Sequence, residues 1–341
     1  MCRRSQALEE PTMIQATEYL RRRNLLMSEL PAGRAVVVTS ADLQSRGNGT
    51  EAAFSQNSDF FYLTGFNEPE AWLLLSNLGT PNSSENNHVS QLFCQPKDKL
   101  AEIWNGRRLG EENASEALLI EQAFSTDTLQ KSLPDLLNNH HQVYFLLGTD
   151  VKKEQMLMEA LQVLRNAPKQ SRTPPSSIVD LGPVLHELRL IKSEPELEVM
   201  QAAADISCRA HVRAMQFVQP GVYEYQLEAE ILHEFGMAGA RTSAYSTIVG
   251  AGENACILHY TDNKDEVQDG DLVLIDAGAN FHGYASDITR TFPANGKFSE
   301  AQASLYQLVL EAQLGAMELL VPGNNLKQAT DVAVEIICQG L

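Results

Sequence analysis

Two aspartates in one short stretch offer the most specific chemistry of the sequence. Asp276 and Asp287 lie in the segment 269–293, DGDLVLIDAGANFHGYASDITRTFP, where two strand patterns flank a turn rich in glycine and asparagine. This arrangement predicts a β-hairpin. If the hairpin is centred near Phe281 and His282, Asp276 faces Asp287 directly across the ladder, with Cβ atoms about 4.5–5.5 Å apart.

Facing carboxylates repel each other, and Asp276 also lies in the apolar run VLIDAG, where an unpaired charge is costly. A cation between the two side chains resolves both problems. Carboxylate oxygens favour divalent ions such as manganese, magnesium or calcium. The alternative is that Asp276 makes turn hydrogen bonds at a strand end and that Asp287 is an unrelated exposed residue.

A histidine is the next candidate. His259 lies in ENACILHYTDN, after an apolar run and before a polar turn. On the residues alone, a structural histidine is favoured over a catalytic one. The sequence contains no H-E-x-x-H, G-x-S-x-G, Walker or G-x-G-x-x-G motif, so it offers no signature of a zincin, an α/β-hydrolase or a nucleotide-binding protein.

The first part of the chain has the pattern of an α/β domain, with short apolar runs rich in β-branched and aromatic residues between helical patches. Strands are predicted at 34–41, 60–66, 71–76, 89–96 and 142–148, and helices at 115–123 and 152–165. The proline- and serine-rich stretch 168–177 predicts a linker. It separates a first domain, 13–167, from a second domain, 178–341.

The second domain shows a helix pattern twice. Ser193 with Glu196 predicts a capping box for a helix that stops at Pro220-Gly221, and a second helix follows over 223–236. Strands are then predicted at 245–250, 255–260, 271–277 and 284–292. Ser299 with Gln302 predicts another capped helix, which stops at Pro322-Gly323 and is also followed by a helix. The pattern indicates a duplicated unit whose second copy lacks its strands.

Composition limits the class of partner. A formal net charge of −18 argues against nucleic acid and against an anionic membrane surface, and the run Arg21–Arg23 is expected to be a solvated helix face. No apolar run is long enough for a membrane span, and the N-terminus has no secretory pattern. Five scattered cysteines are typical of reduced thiols, so a cytoplasmic location is expected.

The segment GENACILHYTDN, followed by DGDLVLIDAGANFHGYASDITRTFP, resembles the metal-site region of Xaa-Pro aminopeptidases (aminopeptidase P), which are pita-bread metallopeptidases. Three further segments are similar to the same family: QNSDFFYLTGFNEPEA (56–71), AEIWNGRRLG (101–110) and VLHELRLIKSEPELEVMQAA (184–203). The resemblance runs from about residue 13 to the end of the sequence, in order. It implies an α/β aminopeptidase P N-terminal domain followed by an incomplete α+β pita-bread (creatinase/aminopeptidase-like) domain.

The resemblance also implies a chemistry. Asp276 would bind one of two divalent ions, expected to be manganese, and Asp287 would bridge both. His259 would contact the substrate and steady the tetrahedral intermediate, and Tyr245 would be a hydrogen-bonding partner of the ligands. The implied reaction is attack by a hydroxide, activated by the two ions, on the peptide bond before a proline in second position.

The sequence departs from the family at one point. The family completes its site with a histidine and two glutamates that find no counterpart here, so the chain is expected to be C-terminally truncated and poorly active. Two alternatives stay open: an inactive homologue that acts as a binding or oligomer partner, and a prolidase-type Xaa-Pro dipeptidase. The resemblance further implies a homo-oligomer formed through the N-terminal domain, with Trp104 as either a surface contact or a core residue.

Overall fold

The computed structural model describes residues 13–47, 50–79 and 87–341. Its backbone contacts divide the chain into two units, Met1–Val199 and Met200–Leu341. The stretch 168–177, predicted as a linker, leads into the strand Ser177–Asp180, which pairs with Gln142–Phe145 in the sheet of the first unit. Because this strand belongs to that sheet, the first unit extends further along the chain than the composition predicts.

The first unit is a mixed sheet with helices on both faces. The helices are α1 (Ala16–Ser28), α2 (Ser58–Thr64), α3 (Lys99–Asn105), α4 (Gly110–Leu118), α5 (Leu129–Leu137), α6 (Val151–Arg165) and α7 (Gly182–Leu190). The strands are β1 (Arg34–Thr39), β2 (Ser45–Gly47), β3 (Thr50–Glu51), β4 (Trp72–Ser76), β5 (Val89–Cys94), β6 (Gln122–Ser125), β7 (Gln142–Phe145) and β8 (Ser177–Asp180). The sheet order is β6-β5-β4-β1-β7-β8, and β2 pairs with β3 alone.

Strand β1 shows why helices cover both faces. Val36 and Val38 pack in a cluster with residues of α1 and α2, whereas Ala35 and Val37 pack on the other face with residues of α5 and α6. A continuous apolar run is typical of a strand that is buried on both sides. The predicted strands at 34–41, 71–76, 89–96 and 142–148 and the predicted helix at 152–165 all coincide with elements of this unit.

The predicted strand at 60–66 is wrong, because residues 60–64 belong to helix α2. The side chain of Asn57 accepts hydrogen bonds from the backbone N–H groups of Asp59 and Phe60 and so caps the helix. Gly65 ends it in the left-handed conformation, at a φ of 65°. The aromatic run favoured a strand, but the cap and the terminating glycine determine the local structure. The predicted helix at 115–123 is also displaced, since α4 ends at Leu118 and β6 follows.

The arginine run on α1 is not a solvated face. Arg22 and Arg23 are buried, and only Arg21 is exposed among the three. The Arg23 guanidinium donates hydrogen bonds to the carbonyl oxygens of Leu63, Leu118 and Leu119 at 2.9, 3.1 and 2.5 Å. Backbone carbonyls at helix ends have no partner within their own helix. Arg23 therefore satisfies the C-terminal ends of α2 and α4 from within the core.

The second unit combines long helices with short strands. The helices are α8 (Glu194–Phe217), α9 (Glu224–Met237), α10 (Glu300–Glu318) and α11 (Leu326–Gly340), and α8 begins within the first unit. The strands are β9 (Thr242–Ser243), β10 (Ile248–Ala251), β11 (Leu272–Ala277), β12 (Ala279–Phe281), β13 (Tyr284–Ala285) and β14 (Ile288–Pro293). They form two sheets, in the orders β10-β11-β14 and β13-β12-β9.

The helix patterns of the second unit are confirmed. The capping box at Ser299 forms, because Ser299 and Gln302 cap each other reciprocally. At Ser193 one half of the predicted box forms: the Glu196 carboxylate accepts from the backbone N–H of Ser193, while the Glu196 N–H bonds the carbonyl oxygen of Ser193. The predicted strand at 255–260 is wrong, because a 3-10 turn, Gly252–Cys256, and an exposed loop occupy this region. Among the residues that the structure describes, no helix is long and apolar enough to cross a membrane.

Candidate metal centre

The predicted hairpin carries both aspartates, and it bends between two sheets. β11 pairs with β14, and further along the same hairpin β12 pairs with β13. The turn is His282-Gly283, with φ values of 48° and 83°. Two positive φ values in a two-residue loop are the signature of a type I′ turn, which matches the twist of the flanking strands.

The predicted register of the two aspartates is wrong by two residues. Asp276 pairs with Thr289 rather than with Asp287. The hairpin turns about His282 and Gly283, one residue later than expected, and moving the centre of a hairpin by one residue moves every cross-strand pair by two. Because side chains alternate between faces with a period of two residues, the shift makes Asp287 a diagonal neighbour of Asp276 rather than its opposite.

The bend lies at Gly278, between β11 and β12. A Cβ atom at this position would lie 1.8 Å from the carbonyl oxygen of Ser286 and 3.0 Å from Cε1 of Tyr245. Only glycine therefore allows the two arms of the hairpin to approach this closely. The carbonyl oxygen of Gly278 accepts a hydrogen bond of 2.8 Å from the backbone N–H of Ala244, which places the neighbouring Tyr245 beside the bend.

Tyr245 links the two carboxylates. Its hydroxyl oxygen lies 2.5 Å from Oδ1 of Asp276 and 3.2 Å from Oδ1 of Asp287. Burial, together with the two neighbouring carboxylates, raises the pKa of Tyr245 above its ordinary value, so the hydroxyl keeps its proton at neutral pH. The structure thus brings together three of the four predicted site residues around one hydroxyl group.

The donor chemistry of this cluster fits a divalent cation. A hydroxyl has one proton to share between the two carboxylates, so most of their mutual repulsion remains uncompensated. Hard divalent ions prefer carboxylate oxygens and would offset that repulsion. Over residues 13–47, 50–79 and 87–341, no group of three or more His, Cys, Asp or Glu side chains is placed to hold a metal ion. By their oxygen chemistry, the two aspartates could supply two ligands of a coordination shell.

His259 is the fourth predicted site residue. Its side chain is exposed on the loop that follows the 3-10 turn, and within the described residues the Tyr245 hydroxyl bonds the aspartates and not His259. The loop itself is anchored. The buried carboxylate of Glu224 accepts hydrogen bonds from the Tyr260 hydroxyl at 2.7 Å and from the Asp265 backbone N–H at 3.0 Å. An exposed imidazole on an anchored loop is available to a ligand.

Two polar residues near the cluster are not apparent from motif reasoning. Ser207 and His211 of α8 are buried against the bend of the hairpin. They lie on the helical stripe that also includes Ala203, Ala210 and Ala214, all buried. A polar residue on an otherwise apolar stripe needs a buried hydrogen-bond partner. This pattern is the sequence signal that could have identified Ser207 and His211.

Comparison with known proteins places both parts of the chain in known families. Residues 19–144 match the family model described as "Aminopeptidase P, N-terminal domain". Residues 198–341 match the model "Metallopeptidase family M24". The fold is thus an aminopeptidase P N-terminal domain followed by a pita-bread domain, as the sequence predicts.

Relatives are similar over almost the whole chain. The Xaa-Pro aminopeptidase of Escherichia coli is 44% identical over 96% of this chain and 73% of its own length, and that of Haemophilus influenzae is 43% identical over 95% and 71%. Zinc-substituted E. coli aminopeptidase P in complex with product aligns with a TM-score of 0.93 at 44% identity, over 97% of this chain and 74% of that structure. Pseudomonas aeruginosa aminopeptidase PepP aligns with a TM-score of 0.92 at 42% identity, over 96% and 73%. The chain therefore belongs to the aminopeptidase P family of M24 metallopeptidases.

Proposed function

We propose that the chain is an Xaa-Pro aminopeptidase, which releases the residue in front of a proline in second position. The observation that carries this proposal is the shared contact of the Tyr245 hydroxyl with Asp276 and Asp287, inside the region that matches the M24 family. The match of residues 19–144 to the aminopeptidase P N-terminal domain favours an aminopeptidase over a prolidase-type dipeptidase.

In this proposal Asp276 would help to hold one of two divalent ions, with manganese as the expected metal, and Asp287 would help to hold both. When bound, the ions would supply Lewis-acid activation of water and of the peptide carbonyl. Tyr245 holds the two carboxylates in a fixed relation through its hydroxyl group. A fixed relation between ligands matters because a loose site loses affinity for the ions.

His259 is proposed to contact the peptide. A ring N–H of this exposed side chain would donate a hydrogen bond to the carbonyl oxygen that gains negative charge during attack. Glu224 limits the movement of the loop through its bonds to Tyr260 and Asp265. These bonds anchor the chain directly after His259.

We also propose that these 341 residues alone turn over substrate poorly. Two carboxylates are a small ligand set for two ions, and among the described residues no third His, Cys, Asp or Glu joins them. The test is hydrolysis of an Xaa-Pro peptide by the purified chain with added manganese. We expect negligible release of the first residue, and robust, chelator-sensitive turnover would contradict this proposal.

The turnover assay tests only whether the chain is active. The enzyme assignment is tested by a second measurement, the affinity of the chain for Mn²⁺. If the assignment holds, Mn²⁺ binds and substitution of either aspartate weakens binding, whatever the turnover. If neither substitution changes binding, the two aspartates are not metal ligands, and the assignment falls.

Self-association through the first unit is a further part of the proposal. Leu100, Ile103 and Trp104 of α3 are 72, 75 and 85% exposed, so Trp104 is not a core residue. Their spacing places them on one face of the helix, and an apolar face of this kind is typical of an interface. The same face would serve a catalytically inactive homologue as a binding surface.

The oligomer is tested by sedimentation velocity of the chain and of Trp104→Glu. We expect an oligomer that the substitution dissociates. Val151→Glu is the matched control, because Val151 is another exposed apolar residue of the first unit, on α6, and should leave the oligomer unchanged. A monomeric unsubstituted chain, or equal effects of both substitutions, would contradict a role for α3.

A cytoplasmic location is proposed from the thiols. Cys94, Cys208, Cys256 and Cys338 are free, and Cys2 lies outside the described residues. Free thiols persist in reducing compartments. Fractionation of the source cells should recover the protein with cytoplasmic markers, and recovery from an oxidising compartment would contradict the proposal.

A further inference from the structure

Helix α8 reaches the aspartate hairpin through two polar side chains one helical turn apart. Ser207 is 0% exposed and His211 is 2% exposed. Positions four residues apart lie on the same face of a helix. Both side chains therefore point towards the strands that the helix covers, at positions where alanine would be sufficient for packing.

His211 bonds the backbone directly after Asp276. Its Nε2 atom lies 3.3 Å from the carbonyl oxygen of Ala277. A carbonyl oxygen only accepts, so Nε2 carries the proton and donates. Burial lowers the pKa of His211, which agrees with a neutral ring that has one N–H group.

Ser207 bonds the other side of the bend. Its Oγ atom accepts a hydrogen bond of 2.9 Å from the backbone N–H of Ala279 and lies 2.7 Å from Oγ of Ser286. The Ala279 N–H also donates to Oγ of Ser286 at 3.0 Å. Ser286 directly precedes Asp287. His211 thus bonds backbone next to Asp276, and Ser207 bonds the Ala279 backbone and the side chain of Ser286, the residue before Asp287. The two bonded backbone groups lie on either side of Gly278.

We propose that Ser207 and His211 are positioning residues for the metal centre, which set the direction of Asp276 and Asp287 by fixing the bend between β11 and β12. This inference rests on the proposed role of the two aspartates as metal ligands. Neither residue touches a ligand carboxylate in the described hydrogen bonds. His211 acts through the Ala277 backbone, and Ser207 acts through the Ala279 backbone and the Ser286 side chain. Partners of this kind orient metal ligands, and their loss weakens metal binding.

The contacts are more than a way to satisfy buried polar groups. The neighbouring buried positions on this face of α8 are small and apolar: Ala203, Ala210 and Ala214. A buried polar group without a partner is unfavourable, so burial of Ser207 and His211 depends on the hydrogen bonds that they make at the bend. The hydrogen bonds select one geometry of the bend, which apolar contacts alone would not do.

The test is calorimetric titration of the full chain with Mn²⁺ alone. We expect His211→Phe and Ser207→Ala to weaken binding about 10-fold or more. His211→Gln keeps an N–H donor and should stay within about threefold of the unsubstituted chain. His140→Phe is the matched control, since His140 is also buried and bonds a serine, Ser76, at 2.7 Å in the first unit. It should bind Mn²⁺ normally.

Far-UV circular dichroism establishes that each variant is folded. If His211→Phe fails to fold, the Mn²⁺ affinity of Ser207→Ala decides the test, because this substitution removes a single oxygen atom and perturbs the fold least. Unchanged Mn²⁺ affinity in folded His211→Phe and Ser207→Ala would overturn the inference, and so would an equal loss in His140→Phe. Asp276→Asn separates failure of the metal site from failure of the positioning role. If Asp276→Asn also leaves Mn²⁺ binding unchanged, the proposed metal site is wrong. If Asp276→Asn weakens binding and the α8 variants do not, only the positioning role is wrong.

Discussion

Asp276 and Asp287 are joined through one hydroxyl group rather than across a ladder pair. The Tyr245 oxygen lies 2.5 Å from one carboxylate and 3.2 Å from the other, while Asp276 pairs with Thr289 in the hairpin. Because the two aspartates are diagonal neighbours at a bend, both carboxylates can contact the Tyr245 hydroxyl group. Two like charges held this way are costly without a counterion, and this is the physical basis of the proposed metal site.

Removal of the shared hydroxyl should loosen the carboxylates. We expect Tyr245→Phe to weaken Mn²⁺ binding about 10-fold, because the ring remains but the donor is lost. Calorimetric titration measures this directly. Tyr225→Phe is the control, since Tyr225 is half-exposed on α9 and its ring stacks on Tyr223. Equal or tighter Mn²⁺ binding by Tyr245→Phe would show that the hydroxyl does not organise the site.

The close approach at the bend predicts a large effect for a small substitution. Gly278→Ala places a Cβ atom 1.8 Å from the Ser286 carbonyl oxygen, so backbone must move. We expect the free energy of unfolding to fall by roughly 2 kcal/mol or more, measured by urea denaturation with circular dichroism. Gly236→Ala in α9 meets open space and should be neutral or stabilising by about 0.5–1 kcal/mol. Similar stability for both variants would contradict the tight bend.

We expect that even lysine cannot replace the buried Arg23 of α1 without loss of stability. Arg23→Lys loses the fork geometry that reaches three carbonyl oxygens, and we expect a loss of about 2 kcal/mol or more in the stability of the first unit. Arg21→Lys, at the exposed neighbouring position, should change stability by less than about 0.5 kcal/mol. Tryptophan fluorescence during urea denaturation reports this unit, because Trp72 and Trp104 both lie in it.

Buried His88 predicts acid sensitivity in the same unit. Burial lowers the pKa of His88 to about 4, from about 6.5 in an unfolded chain. Between these values the unfolded state binds more protons, so the contribution of His88 to stability is complete above about pH 6.5 and is lost as the pH falls towards 4. His88→Leu should flatten this part of the curve of urea midpoint against pH. His141→Gln, an exposed control, should leave the curve unchanged; a slope unchanged in His88→Leu would rule His88 out as the cause.

Local rules predicted the elements better than their pairing. The capping box at Ser299 and the Glu196 contact with the Ser193 N–H mark the predicted helix starts, because such contacts act within one turn. The register of the hairpin required the position of the type I′ turn, and a histidine at the first turn position is a weak signal for it. Helix α2 was missed because its cap at Asn57 competes with an aromatic run that favours strands.

Tertiary contacts account for the rest of what the sequence did not predict. The burial of Arg23 depends on carbonyl oxygens about 40 and 95 residues away in the chain, which no local pattern encodes. Ser207 and His211 were detectable only as polar residues on an apolar helical stripe, and their target became visible with the bend at Gly278. Tyr245 was predicted from the family resemblance and not from its own surroundings.

The most direct test of the account is Mn²⁺ titration of the chain and of Asp276→Asn and Asp287→Asn. Asp331→Asn is the control, because Asp331 is an exposed carboxylate of α11 that pairs with Lys327. We expect the chain to bind Mn²⁺, each substitution in the centre to weaken binding at least about 10-fold, and the control to leave binding unchanged. Unchanged binding by both Asp276→Asn and Asp287→Asn would contradict the metal centre itself.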